Sequence, residues 1–463
     1  MRAFSRFAGA ALLAAFLLPA CGFAPDAAQA PTTAVIVTAA ASYRPEAAIT
    51  GGERFPAGAQ LLSLKNGHAE PLLKDFAASA DANLSFDGAR VLFAGKKATN
   101  DPWQIWELTL ATGATRKLVS SADDLVRPFH LPGGRILYAH HTAHGFQLEV
   151  AGADTAPHNA PIADTVAEKT DVISYLPASA FPDDVLADGR VLFETSFPMG
   201  TQSTPELMLV YTDGSGVESY RCDHGQPRFA GHQLASGDVL FTHGNSLGRF
   251  RSATATEEPV KAPRADYAGS IAETAKGDLL VSARTAGATH FALKLWHPGA
   301  QALQTLLARP DADLVEPVIV AERNRPNQHP SALHPWDYAN LLVLDSRISR
   351  EGDLAQLPAV VRLESLDEKG NVQQNGTAPV ETDGSFFIKV PGNRPIRMSL
   401  LDEKGNVLRQ EKGWRWIRSG EQRICVGCHT GPERSSENRV PAVLLRSTTP
   451  ADLTASHPTQ GGN

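Results

Sequence analysis

Cysteine is scarce in this chain. Only Cys21, Cys222, Cys425 and Cys428 occur in 463 residues, too few for a disulfide framework to organise the fold. Basic charge is not in surplus either. The formal net charge is −7, and a cleaved leader carrying Arg2 and Arg6 would make it more negative, so nucleic-acid partners are set aside. Beyond the first thirty residues there is no run of roughly 20 uncharged apolar residues, the length a spanning helix needs. No Ser-His-Asp set, phosphate-binding loop or glycosidase carboxylate pair stands out, which ranks hydrolase readings low. What is present is ordinary for a folded protein: 42% hydrophobic and 20% charged residues supply a sizeable core. Thirty-eight Gly and 32 Pro point to short strands joined by turns rather than to long helices.

The N-terminus reads as a targeting segment. Arg2 and Arg6 precede an apolar run over residues 7–18, and small residues follow. Leu18-Pro19-Ala20-Cys21 resembles the lipobox of bacterial lipoproteins, with cleavage after Ala28-Gln29-Ala30 as the rival. The expectation is a signal peptide over 1–20, export to the periplasm, and a lipid anchor on Cys21. Cys222 then has no partner and reads as a small, partly buried residue.

After an Ala- and Thr-rich linker (21–50), a Gly-containing turn followed by an apolar run recurs five times. Its glycines, Gly88, Gly134, Gly189, Gly237 and Gly277, fall 40 to 55 residues apart. A period of that length with several strands per unit indicates a β-propeller, because each small sheet has apolar faces that only a neighbouring blade covers. Trp106, Leu108 and Leu110 alternate with Glu107 and Thr109, and Phe291, Leu293 and Leu295 repeat that alternation. Six blades over 51–325 are expected, with seven as the alternative, and residues 59–64 as the strand that closes the ring. The turn motif resembles the TolB-like propeller repeat. From about Arg325 the period stops. Strands over 359–363, 386–390 and 396–401, and the string Leu-Asp-Glu-Lys-Gly-Asn-Val at 366–372 and again at 401–407, predict a small β-sandwich-like domain over 326–447. A flexible tail is expected over 448–463. The fold class is all-β.

Cys425-Val426-Gly427-Cys428-His429 has the C-x-x-C-H spacing of haem c attachment. Two cysteines on one turn reach the two vinyl groups, and His429 then lies under the ring as an iron ligand. Export favours this reading, because haem c is matured outside the inner membrane. Half of a zinc site, a thioredoxin-like redox pair and a structural disulfide are the competing readings. Residues 409–439 hold seven Lys or Arg against four Glu. Arg415, Arg418 and Arg423 are candidate partners for haem propionates or an acidic redox partner, and Trp414 and Trp416 for the porphyrin edge. His329, His334 and Met398 are candidates for the second axial or distal position, with His140, His141 and His144 reaching over from a propeller loop.

Residues 413–416 and 420–429, Gly431-Pro432-Glu433, Glu437-Asn438-Arg439-Val440-Pro441 and the upstream residues 328–335 and 339–342 resemble proteins similar to the hydrazine synthase alpha subunit. The resemblance implies a propeller followed by a domain binding one covalent haem c, and partner subunits. That family ligates iron through a Tyr four residues beyond the motif His, where Glu433 stands here. It also has a further haem domain, whereas one haem is expected in this chain. The leading expectation is therefore a periplasmic, lipid-anchored, mono-haem redox protein, working with a redox partner protein or a small molecule. An open iron coordination site would make it an oxidoreductase. The alternative is a non-enzymatic envelope binding module with a structural or absent haem.

Overall fold

The computed structural model describes residues 33–152, 170–199, 202–221, 227–252, 255–349, 352–427, 437–455 and 457–458. Cys21 and the leader, Cys222, Cys428, His429 and Glu433 lie outside them. The recurring glycines all adopt the left-handed backbone that their tight turns require, with φ between 70° and 90°. Each turn delivers the second strand of a four-stranded antiparallel sheet: Arg90–Lys96, Ile136–Thr142, Val191–Met199, Val239–His243 and Leu279–Arg284.

A sixth sheet lacks the turn because its two inner strands come from opposite ends of the propeller. Asp313–Ile319 pairs antiparallel with Val35–Ala40, Ala39 opposite Leu314 and Val35 opposite Ile319. All six residues of Val35–Ala40 are buried, so this part of the expected linker is core. Gln60–Lys65, expected to close the ring, is instead the third strand of this sheet. The innermost strands are Asp313–Ile319, Ala78–Leu84, Leu125–His130, Ala180–Val185, Phe229–Gln233 and Asp266–Glu273. Each touches the next and the last touches the first, so the propeller is a closed ring.

Apolar clusters fill the spaces between sheets, such as Leu92 and Ile105 against Leu125, Ile136 and Tyr138. Because both faces of each sheet are covered, polar residues of the alternating strands are buried as well. Glu107, only 2% exposed, accepts from Arg116 at 2.7 Å through one oxygen and has Arg90 at 3.6 Å from the other. At one level of the ring every innermost strand is bulged, and Asp81, Arg127, Ala230, Gly269 and Glu316 take positive φ there. The bulges turn acidic and basic side chains toward one another across sheets. Arg127 bridges to Asp183 at 2.9 Å and Glu194 at 2.8 Å, and Arg54 pairs with Asp81 and, at 3.0 Å, with Glu316. Burial and the nearby Glu194 push the Asp183 carboxyl well above its ordinary range.

Past the ring, the linker runs back beneath it. Arg323 donates to Leu84 O at 2.6 Å and Asn83 Oδ1 at 3.1 Å, and burial draws its pKa down to about 10. Two further sheets follow. One orders Gln422–Cys425, Tyr338–Val343, Phe386–Pro391 and Ala451–Asp452; the other orders Val407–Gln410, Ile396–Leu401, Val360–Leu366, Val372–Pro379 and His457–Pro458. They share one core, with Leu341, Val343 and Ile388 facing Leu363, Ile396 and Leu400. The two Asp-Glu-Lys-Gly-Asn corners are built alike: Asp367 and Asp402 each accept amide hydrogens from residues two and four further on. Residues 451–453, within the stretch expected as a flexible tail, are stitched in. Leu453 is 5% exposed in this core, and Ala451 pairs with Ile388. No helix among the described residues is long and apolar enough to cross a membrane.

Candidate cofactor site

Strand Gln422–Cys425 lies parallel to Tyr338–Val343, with Cys425 opposite Val343. The backbone beyond it stays pinned: Leu344 N–H donates to Cys425 O at 2.9 Å and Asp345 N–H to Val426 O at 3.1 Å. Gly427 then passes so close to the 345–348 loop that a Cβ would stand 2.6 Å from Ile348 O and 2.8 Å from Asp345 O. Only glycine fits that approach. Cys425 is half-buried at the edge of the C-terminal core. Cys428 and His429 follow immediately, outside the described residues.

The segment leading into this strand is anchored on the propeller. Trp416 is 0% exposed, its ring packed near Phe193 and Tyr175 of the ring's own core, and its Nε1–H donates to Gly214 O at 3.0 Å. Arg418 donates to Val172 O at 3.0 Å and to the Tyr175 hydroxyl. Glu421 accepts from the Gly216 amide at 3.2 Å with one carboxylate oxygen and from the Arg418 amide at 3.0 Å with the other. Arg423 donates to Val217 O at 2.6 Å.

These placements reassign several expected roles. Trp416 is a structural plug with no exposed face to offer a porphyrin, and the Trp414 ring is covered by the Arg397 guanidinium at 4.7 Å. Arg418 is an interdomain clamp, and Arg415 pairs with Glu411 at 2.9 Å. Among the described residues, Arg423 alone of the three keeps a buried Nη1 without a hydrogen-bond partner. Burial opposes its charge, but the Cys425 sulfur and the Glu421 carboxylate beside it hold its pKa above the ordinary arginine value. Glu421 and the 211–217 turn were not legible in the sequence, where nothing marks a lone Glu as the hinge pin of two domains.

The candidate axial residues are spread out. His334 is exposed, 2.7 Å from the Gln422 side-chain nitrogen and stacked on Trp336, beside the strand that carries Cys425. Met398 is half-buried against the same core as Cys425. His329 stacks on Tyr211 of the propeller at 4.0 Å, its Nδ1 buried without a hydrogen-bond partner among the described residues. His140, His141 and His144 sit at or beside the hairpin tip between Ile136–Thr142 and Gly145–Ala151. That tip is at the end of the propeller opposite the 211–217 turn of the next sheet, on which the Cys425 segment docks, so they do not reach over to Cys425. His140 is engaged with Glu149 at 2.8 Å.

Comparison with known proteins agrees with this architecture. Residues 349–430 match the family model of the hydrazine synthase alpha subunit middle domain. A 55-residue stretch is 38% identical to hydrazine synthase subunit alpha of Kuenenia stuttgartiensis, covering 12% of this chain and 7% of that protein's length. The solved hydrazine synthase of the same organism superposes with a TM-score of 0.75 at 16% identity, over 90% of this chain and 71% of that one. TolB from Acinetobacter baumannii overlaps 62% of this chain and 67% of its own, with a TM-score of 0.44 at 13% identity. The chain is thus an all-β, propeller-bearing protein similar in fold to hydrazine synthase, with residues 349–430 similar in sequence to the alpha subunit's middle domain.

Proposed function

We propose that the chain is an exported redox protein that carries one covalent haem c, held through Cys425 and Cys428 with His429 as an iron ligand. The observation that carries this reading is the C-x-x-C-H, which lies at the end of a fixed strand within the segment matching the middle domain. The described half of the motif suits such a group. The first sulfur is held at a domain edge, and the glycine approach at Gly427 is one that any Cβ would fill. Bound haem supplies one-electron chemistry, or ligand binding at iron if one face stays open. The chain's residues do the rest. Pairing with Tyr338–Val343 orients Cys425, Arg423 sets a cation beside its sulfur, and Trp416, Arg418 and Glu421 fix the segment against the propeller. His334 and Met398 are the proposed candidates for the second iron ligand.

Export through the leader, lipidation at Cys21 and a periplasmic place at the membrane belong to the same reading. So do partner subunits, because the matched relative is named as a subunit. The substrate class is a small nitrogen or oxygen compound, or else a redox partner protein.

The test is a pyridine haemochrome spectrum of protein made alongside a cytochrome c maturation system. A thioether-type spectrum that disappears in Cys425→Ala/Cys428→Ala supports the proposal. Protein without such haem refutes it and leaves a propeller binding module. In the ferrous protein, CO binding marks an open site and small-molecule chemistry, whereas failure to bind CO marks electron transfer.

A further inference from the structure

At the end of the ring opposite the docked C-terminal domain, the connection between Val35–Ala40 and Gln60–Lys65 crosses the propeller mouth. Its short helix Pro45–Ile49 and the loop after it roof a cavity of about 700 Å³, within the range of ~300–1,000 Å³ typical of small-molecule sites. The cavity floor is closed by charges already spent on one another. Arg54 descends from the loop to Asp81 and Glu316, and the second Asp81 oxygen accepts the Arg127 amide at 2.9 Å.

The walls differ from the floor. Trp103 and Phe146 are half-buried there, Phe146 packs on Phe181 with ring centroids 4.8 Å apart, and the exposed His141 ring rests 4.9 Å from Phe146. One wall cation is unspent, and the lining carboxylate Glu53 is exposed on the loop. The Lys96 ammonium lies 5.1 Å from the Trp103 ring centroid and has no carboxylate partner among the described residues, whereas its neighbour Lys97 is paired with Asp75. Asp124, also in the wall, already uses Oδ1 to accept the Trp103 amide at 2.8 Å.

We propose that this cavity binds a small carboxylic acid with a flat apolar body. Lys96 holds the carboxylate, and the body lies between Trp103 and Phe146. A half-buried ammonium that has lost part of its water gains most from a charge-assisted bond to an anion. Aromatic walls reward a flat apolar group with stacking or edge contacts. An amine of the same shape would meet Lys96 as a like charge, with Asp81 turned to the floor, Asp124 accepting the Trp103 amide, and Glu53 exposed on the loop, where water screens it.

The test is calorimetric titration of the whole chain with phenylacetate at neutral pH and low salt. Saturable binding is expected, with neutral phenylacetamide and cationic phenethylamine each weaker by about tenfold or more, the size of one charge-assisted contact. Lys96→Met should lower phenylacetate affinity to that of the amide without moving the melting temperature, and Phe146→Ala should weaken both. Equal affinity for acid and amide, undiminished binding by Lys96→Met, or no saturable binding at millimolar phenylacetate would overturn the assignment. Because the cavity and Cys425 lie at opposite ends of the ring, none of these outcomes depends on haem attachment.

Discussion

Replacing Trp416 by Ala removes a C-terminal side chain that is buried entirely in the propeller core. A Trp buries about 150–250 Å², which at ~25 cal/mol/Å² amounts to about 4–6 kcal/mol of apolar burial. Alanine keeps part of that, so the truncation alone costs about 3–5 kcal/mol. Leaving Gly214 O without its donor adds ~1 kcal/mol. Trp416→Phe keeps most of the apolar volume and loses chiefly the hydrogen bond, for about 1–2 kcal/mol. Because the lost contacts join two domains, the Ala variant is expected to unfold in two resolved calorimetric transitions, where the parent protein shows one. New proteolytic cleavage should appear near the 211–217 turn. An Ala variant that melts within a degree of the parent, with an unchanged digestion pattern, would refute Trp416 as the docking plug.

Four further outcomes follow from the geometry. Arg54→Met strands Asp81 and Glu316 in the ring interior and should cost about 3–5 kcal/mol in chemical denaturation; adding Asp81→Asn should recover part of it, and additive losses would contradict the pairing. His232 lies 3.0 Å from Asp184, whose carboxylate outweighs burial and raises the imidazole pKa above its ordinary 6.5. The stability from that pair is complete below about pH 6.5 and is lost as pH rises through the folded value. His232→Gln should flatten that part of the stability–pH curve, and an unchanged curve would count against it. Gly427→Ala drives a methyl into the 345–348 loop and should cost about 1–3 kcal/mol, with covalent haem content falling in parallel; normal haem content would show the approach to be dispensable. Leu453→Ala should destabilise the C-terminal domain by about 2–5 kcal/mol, whereas a truly loose tail would tolerate it at no cost.

Much of the propeller was legible because a tight turn needs positive φ, and Gly88, Gly134, Gly189, Gly237 and Gly277 announce it at a regular period. The sixth sheet left no such mark, since strands paired from opposite ends of the ring need no turn between them. The alternation of Leu108 with Glu107 does not by itself tell whether the polar face stays wet. In a sheet covered on both sides, the polar positions are buried with ion-pair partners instead, as Glu107 is with Arg116. The anchoring of residues 451–453 was not legible, because the polarity of the stretch outweighs the single Leu453 that seats it. At the candidate site, spacing identified Cys425, but the contacts that hold its strand come from residues some two hundred positions away. No local pattern carries that information.

The pairing of Val35–Ala40 with Asp313–Ile319 also dictates an order of events during synthesis. Nearly the whole propeller must emerge before the first strand finds its partner, so loop-closure entropy is met late and in one step. Until then the nascent sheet exposes a raw edge, a template for mispairing with other chains. A product stopped short of Ile319 should therefore be sticky rather than merely shorter. Trp416 can seat only after its pocket between the central sheets exists, which makes the C-terminal domain the last piece to lock.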